Sequence, residues 1–130
     1  MTEKTLSYQD LLITPRDVFA EMGYRDSEPD DATRSETVYI INNVKEWLRP
    51  RFAYTVVSRL PGFSMGRVIE CQLRGAQAYA VFVCTSGCEF EDYQRQLMHE
   101  GDMVRVFIAD SLGTLIAERC ADQIGRASCR

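Results

Sequence analysis

The sequence predicts an α+β domain, an antiparallel sheet with flanking helices. Three observations carry that expectation. Apolar residues recur at three- and four-residue steps at both ends of the chain. The middle holds short β-branched and aromatic runs instead. The connections between those runs are short, which favours antiparallel neighbours over parallel ones that need a long crossover. The composition, 45% hydrophobic and 26% charged over 130 residues, is that of one globular domain.

The elements follow in order. Residues 1–13 are a mixed lead-in in which Leu11, Leu12 and Ile13 form a short strand or pack under the first helix. Thr14-Pro15-Arg16-Asp17 starts that helix, with Thr14 as cap and Pro15 at the first helical position. Val18, Phe19 and Met22 line its apolar face, and Gly23 ends it. Residues 24–32 are a polar loop. Thr33-Arg34-Ser35-Glu36 has the form of a capping box. The helix it opens carries Val38, Ile41, Val44 and Leu48 on one stripe, widened by Ile40 and Trp47, and stops before Pro50.

Phe52, Tyr54, Val56 and Val57 predict a strand, and Pro61-Gly62 a turn. Arg67–Leu73 reads as a second strand. The nearly unbroken apolar run over residues 76–84 reads as a central strand buried on both faces. Phe90, Tyr93, Leu97 and Met98 predict a helix over about 89–99, broken at Gly101-Asp102. A long helix then begins near Asp102 and carries Val106, Ala109, Leu112, Leu115, Ile116 and Ala117. Gly113 inside it costs roughly 1 kcal/mol against alanine, which points to close packing or a ligand nearby.

Charge and motifs narrow the function. The balance of 15 basic against 19 acidic residues, net -4, disfavours nucleic acid as a partner. No apolar run approaches the ~20 residues of a membrane span. The N-terminus lacks the basic-then-apolar order of a signal peptide, so a cytoplasmic location is expected. The five cysteines, Cys71, Cys84, Cys88, Cys120 and Cys129, show no paired metal-ligand spacing and are read as reduced, mostly buried thiols.

Gly62-Phe63-Ser64-Met65-Gly66 matches G-x-S-x-G, but it falls between two expected strands rather than on a strand–turn–helix elbow. The single histidine, His99, would have to serve as its base. Thr85-Ser86-Gly87 offers amide groups to an anion before a helix, or simply a cap from Ser86. Asp110 and Glu118 lie eight residues apart on the long helix, close enough to one side to bind an amine or hydroxyls, or to serve as surface carboxylates. Arg105 and Glu118 also suit solubility or local pairing. Tyr54, Phe63 and Phe82 are read as core aromatics.

Three segments together resemble the activation (reactivation) domain of cobalamin-dependent methionine synthase. They are Ala80–Gly87, similar to an apolar strand ending in Thr-x-Gly; Gly101-Asp102, opening the long helix; and Ala109–Glu118 followed by Ala121-Asp122, similar to an Asp-x-x-Gly-(Ser/Thr)-x-x-x-Glu helix. Gly23-Tyr24 and Arg51–Tyr54 fit the upstream region, and the resemblance covers most of residues 13–123.

The resemblance implies an accessory subunit rather than a complete enzyme. In the family, cobalamin cycles between Co(I) and methyl-Co(III), and occasional oxidation leaves inert Co(II). The activation domain binds S-adenosylmethionine and positions its methyl group while a flavodoxin-type donor supplies an electron. The cobalamin would be held by a partner, the cobalamin-binding methionine synthase subunit or domains. Asp110 and Glu118 are the family-like positions for ligand contact, and no catalytic or metal-binding residue is implied. The short lead-in fits a free-standing subunit.

The family's main ligand motif, Arg-x-x-x-Gly-Tyr, follows the long helix and is absent from this sequence. The expectation is an incomplete, C-terminally truncated domain that binds the ligand poorly. Residues 1–123 are read as its N-terminal part. The last seven residues, Ile124–Arg130, resemble an in-frame translation of a sequencing adapter and are read as a non-native tail. The alternative function is a non-catalytic α+β protein-interaction module without a nucleotide ligand. A small hydrolase or reductase lacks a nucleophile–base pair here.

Overall fold

The computed structural model describes residues 1–59 and 66–128. The elements are β1 (Thr2–Thr5), α1 (Tyr8–Leu11), α2 (Pro15–Met22), α3 (Asp31–Trp47), β2 (Arg51–Val57), α4 (Arg67–Leu73), β3 (Tyr79–Thr85), α5 (Cys88–Glu100) and α6 (Met103–Ser128). The three strands form one antiparallel sheet in the order β1-β2-β3, with helices beside it, so the α+β expectation holds. Thr2 lies opposite Tyr54 in one pairing, and Arg51 opposite Thr85 in the other.

The helix ends follow local chemistry. Thr14 Oγ1 accepts a hydrogen bond from the Asp17 amide, the Asp17 carboxylate accepts one from the Thr14 amide, and Pro15 occupies the first turn. Gly23 closes α2 in the left-handed region at φ 111°. α3 begins earlier than its sequence suggests. Asp30, not Thr33, is the cap, with Asp30 Oδ1 accepting from the Thr33 amide at 2.7 Å. Glu36 does not reach back to close a box at Thr33, because it is engaged by Arg105 on α6.

The apolar stripe of α3 is also rotated. Val38 is exposed, while Thr37 is buried alongside Ile40, Ile41 and Val44. Thr37 fits there because its hydroxyl donates to the Thr33 carbonyl at 2.8 Å.

Two strand expectations change. Of the two readings of residues 11–13, packing holds for Leu11 and Ile13, which are buried in the core and belong to no strand; Leu11 ends α1 and Leu12 turns outward at φ 55°. The first strand lies instead at Thr2–Thr5, whose side chains are all exposed, so backbone pairing rather than an apolar pattern defines it. Arg67–Leu73 is a helix, not a strand. A helix closes its backbone hydrogen bonds locally, and no residue of α4 is buried to favour one sheet face.

β3 is a strand, but it starts at Tyr79 and lies at the sheet edge. Its Val81, Phe82 and Val83 are 48%, 51% and 66% exposed, so it is not buried on both faces. An apolar run records what a strand tolerates; burial on both faces also needs layers above and below it. The Pro61-Gly62 turn lies outside the described residues.

α6 organises the core. It packs against α2, α3, α5, β2 and β3, and Ile108, Leu112, Ile116 and Cys120 are fully enclosed. Val18, Ile40, Val44, Leu48, Phe52 and Phe90 complete the interior around it. Each such side chain contributes roughly 1.5–3 kcal/mol relative to its exposed state. One turn past Cys120, Ile124 is buried on the same stripe.

Candidate functional site

The α5–α6 hairpin builds a groove on its solvent side. Gly101, at φ 79°, closes α5 by donating to the Leu97 and Met98 carbonyls. Asp102 then accepts from the Arg105 amide at 3.2 Å and starts α6 back along α5. Two turns on, Gly113 lies against Phe90; a Cβ there would sit 3.0 Å from Phe90 Cε1. The glycine that interrupts α6 therefore marks close helix packing. On the solvent side, Glu91, Arg95, Met98, Met103, Phe107 and Asp110 line a groove of about 570 Å³. That volume lies within the range of small-molecule sites.

The two expected site carboxylates differ in their relation to the groove. Asp110 is exposed on the groove wall. Glu118 is exposed as well but does not line the groove. Met98, expected on the buried face of α5, contributes to the groove instead.

The Thr85-Ser86-Gly87 turn is filled from within. Gly87, rather than Ser86, stands at the helix N-cap with φ 100°, and its amide donates to Thr85 Oγ1 at 3.1 Å. A Cβ at Gly87 would lie 2.9 Å from the Arg49 carbonyl oxygen, so the glycine is required by both space and conformation. Glu89, in the first turn, pairs with Arg51 at 2.8 Å. Its own backbone amide and Arg51 hold its carboxyl below the ordinary carboxylate range. The negative charge that suits a helix N-terminus is thus supplied by the chain itself.

Two arginines carry more of the architecture than their sequence context suggests. Arg105 Nε binds Glu36 Oε2 at 2.6 Å and its guanidinium lies 4.7 Å from the Tyr39 ring centroid, tying α6 to α3. Arg119 donates to the Leu11 and Leu12 carbonyls at 3.0 Å each and pairs with Asp17 at 3.4 Å. Its partners are about a hundred residues away in sequence, and no local pattern reveals them.

The thiols divide by environment. Cys71 and Cys88 are exposed, Cys84 is half-buried and Cys120 is buried, so only part of the buried-thiol expectation holds. Burial, with Cys84 beside it, pushes the Cys120 thiol up to about 11. Tyr54 packs against the core, whereas Phe82 is half exposed. Phe63, Cys129 and the G-x-S-x-G serine lie outside the described residues. Among the described residues, no group of three or more His, Cys, Asp or Glu side chains is placed to hold a metal ion, and no helix is long and apolar enough to cross a membrane. No family model and no curated protein matches this chain.

Proposed function

We propose that this chain is part of an accessory subunit for the reductive methylation of cobalamin in methionine synthase, with S-adenosylmethionine as its ligand. The observation that supports this reading most is the assembly of the three resembling segments into one β3–α5–α6 unit. Cys84 at the end of β3 meets the Ala117 carbonyl of α6 at 4.0 Å, and Phe90 of α5 seats on Gly113. Asp110, from the same stretch of α6, faces the groove that this packing leaves.

The groove suits the chemistry of such a ligand. S-adenosylmethionine carries a sulfonium and an ammonium, and Asp110 and Glu91 supply opposite charge at the rim. Met98, Met103 and Phe107 offer apolar contact for a flat base. Glu118 lies apart and is left to a partner surface. The cobalamin would be held by the partner protein, and this chain's role is positioning rather than bond making.

The test is association with a cobalamin-loaded methionine synthase that lacks its own activation domain. The expected result is co-elution on size exclusion, weakened by Glu118→Lys, which reverses the charge left to the partner surface. Absence of association at tens of micromolar would favour a plain protein-interaction module.

A further inference from the structure

Packing of α6 on the sheet brings together two thiols that are far apart in sequence. Cys84 stands opposite Phe52 across the β2–β3 ladder. Directly opposed residues share a sheet face, and Phe52 is buried, so Cys84 points toward α6. Cys120 lies on the buried stripe of α6 with Ile116 and Ile124. The contacts of the two sulfurs cross. Cys84 Sγ reaches the Ala117 carbonyl at 4.0 Å, less than one turn before Cys120. Cys120 Sγ reaches the Arg51 carbonyl at 3.8 Å, next to Phe52. The two thiols are also hydrogen-bonded to each other.

Their access to solvent differs. Cys120 is fully enclosed, whereas Cys84 is half-buried and lines a cleft of about 440 Å³ with Lys4, Phe52 and Thr85. A small oxidant in that cleft meets Cys84 first. Burial keeps the Cys120 thiol protonated at neutral pH, so it stays inert until its neighbour has been oxidised. The other described thiols, Cys71 and Cys88, are exposed, and Cys88 lies beside Arg51 and Glu89 at the start of α5.

We propose that Cys84 and Cys120 are a hydroperoxide-reactive pair that closes into a reversible disulfide between β3 and α6. The Cys84 sulfur attacks one oxygen of the hydroperoxide and the O–O bond breaks. The other oxygen leaves with the thiol proton, as water or an alcohol, and Cys84 becomes a sulfenic acid. The Cys120 sulfur then displaces the sulfenic hydroxyl, which leaves as water with the Cys120 proton. The two thiols lose two electrons and the hydroperoxide gains them. A dithiol reductant restores both thiols by exchange.

Hydrogen peroxide on the folded chain is the test, followed by blocking of free thiols in denaturant and peptide mapping by mass spectrometry. The expected product is an 84–120 bridge within one chain, reversed in full by dithiothreitol. Cys71→Ser, Cys88→Ser and Cys129→Ser together leave only the pair, and this variant should lose both free thiols at unchanged monomer size. Cys120→Ala should instead let Cys84 proceed to a sulfinic acid that dithiothreitol does not reverse. If Cys120→Ala fails to fold, the mapped bridge alone decides. Thiols at 84 and 120 that stay free, bridges between chains, Cys84 sulfinic acid without a bridge, or a bridge that forms only in urea would each overturn the proposal.

Discussion

Arg119 shows how one side chain can hold the start of the chain to its far end. Its guanidinium fork satisfies two carbonyls at the end of α1 while neutralising Asp17 at the start of α2. Gln123 adds a bond to the Asp10 carbonyl at 3.1 Å one turn later. Removing the fork leaves those carbonyls short of a charged donor. Arg119→Ala is expected to cost about 1–3 kcal/mol in urea denaturation. Arg119→Lys should recover only part of this, because an ammonium lacks the planar fork. An unchanged midpoint in Arg119→Ala would show that water replaces the contact fully. At this scale the sequence is readable wherever a residue acts on near neighbours. Thr14, Pro15, Gly23 and Gly101 behave as their types predict. Asp110 was readable as a candidate from its place in a motif, but its position on a groove was not, since α5 forms the other wall.

At the scale of elements, the α5–α6 crossing depends on what Gly113 lacks. Alanine would raise intrinsic helix propensity by roughly 1 kcal/mol. Its methyl would press on Phe90, which is fully buried and cannot swing away cheaply. Gly113→Ala is therefore expected to lower the thermal midpoint by a few degrees and to disturb the α5–α6 groove. A higher midpoint would mean that the Phe90 ring yields and propensity wins. The two elements that differ from expectation fail for related reasons. Val68-Ile69 suggested a strand in α4, yet a short β-branched pair does not select a strand without a neighbour to pair with. The apolar content of β3 suggested a central position, yet hydropathy carries no information about how many strands surround it.

For the whole molecule, helix N-termini share one acid sensitivity. The Ser7 amide and hydroxyl hold Asp10 low, and the Thr33 hydroxyl and amide hold Asp30 low. Burial pushes the Asp17 carboxyl up, but the Thr14 amide and hydroxyl with Arg119 outweigh it and leave it below the ordinary range. Glu89 is held low at the start of α5. A carboxyl depressed in the native state binds its proton more weakly than in the unfolded chain. Its stabilisation is complete above the unfolded value of ~4 and is lost as pH falls through the lower native values. The thermal midpoint should thus stay level from neutral pH down to about 5 and fall steeply below about 4. A level midpoint down to pH ~3 would show that these caps contribute little.

What the sequence determined by itself is what short-range physics governs. Periodicity marked α2, α3, α5 and α6, turn residues marked the ends of α2 and α5, and the change of period in the middle of the chain marked β2 and the apolar β3. Those features depend on residues a few positions apart, which meet in any chain that forms a helix or strand. Tertiary structure alone decided the rest: the edge position of β3, the rotation of the α3 stripe onto Thr37, the Arg105–Glu36 and Arg119–Asp17 pairs, and the place of Asp110 on a groove walled by α5. Each turns on which surfaces the long α6 helix covers. That is settled by packing between residues far apart in sequence, where no local pattern records the partner.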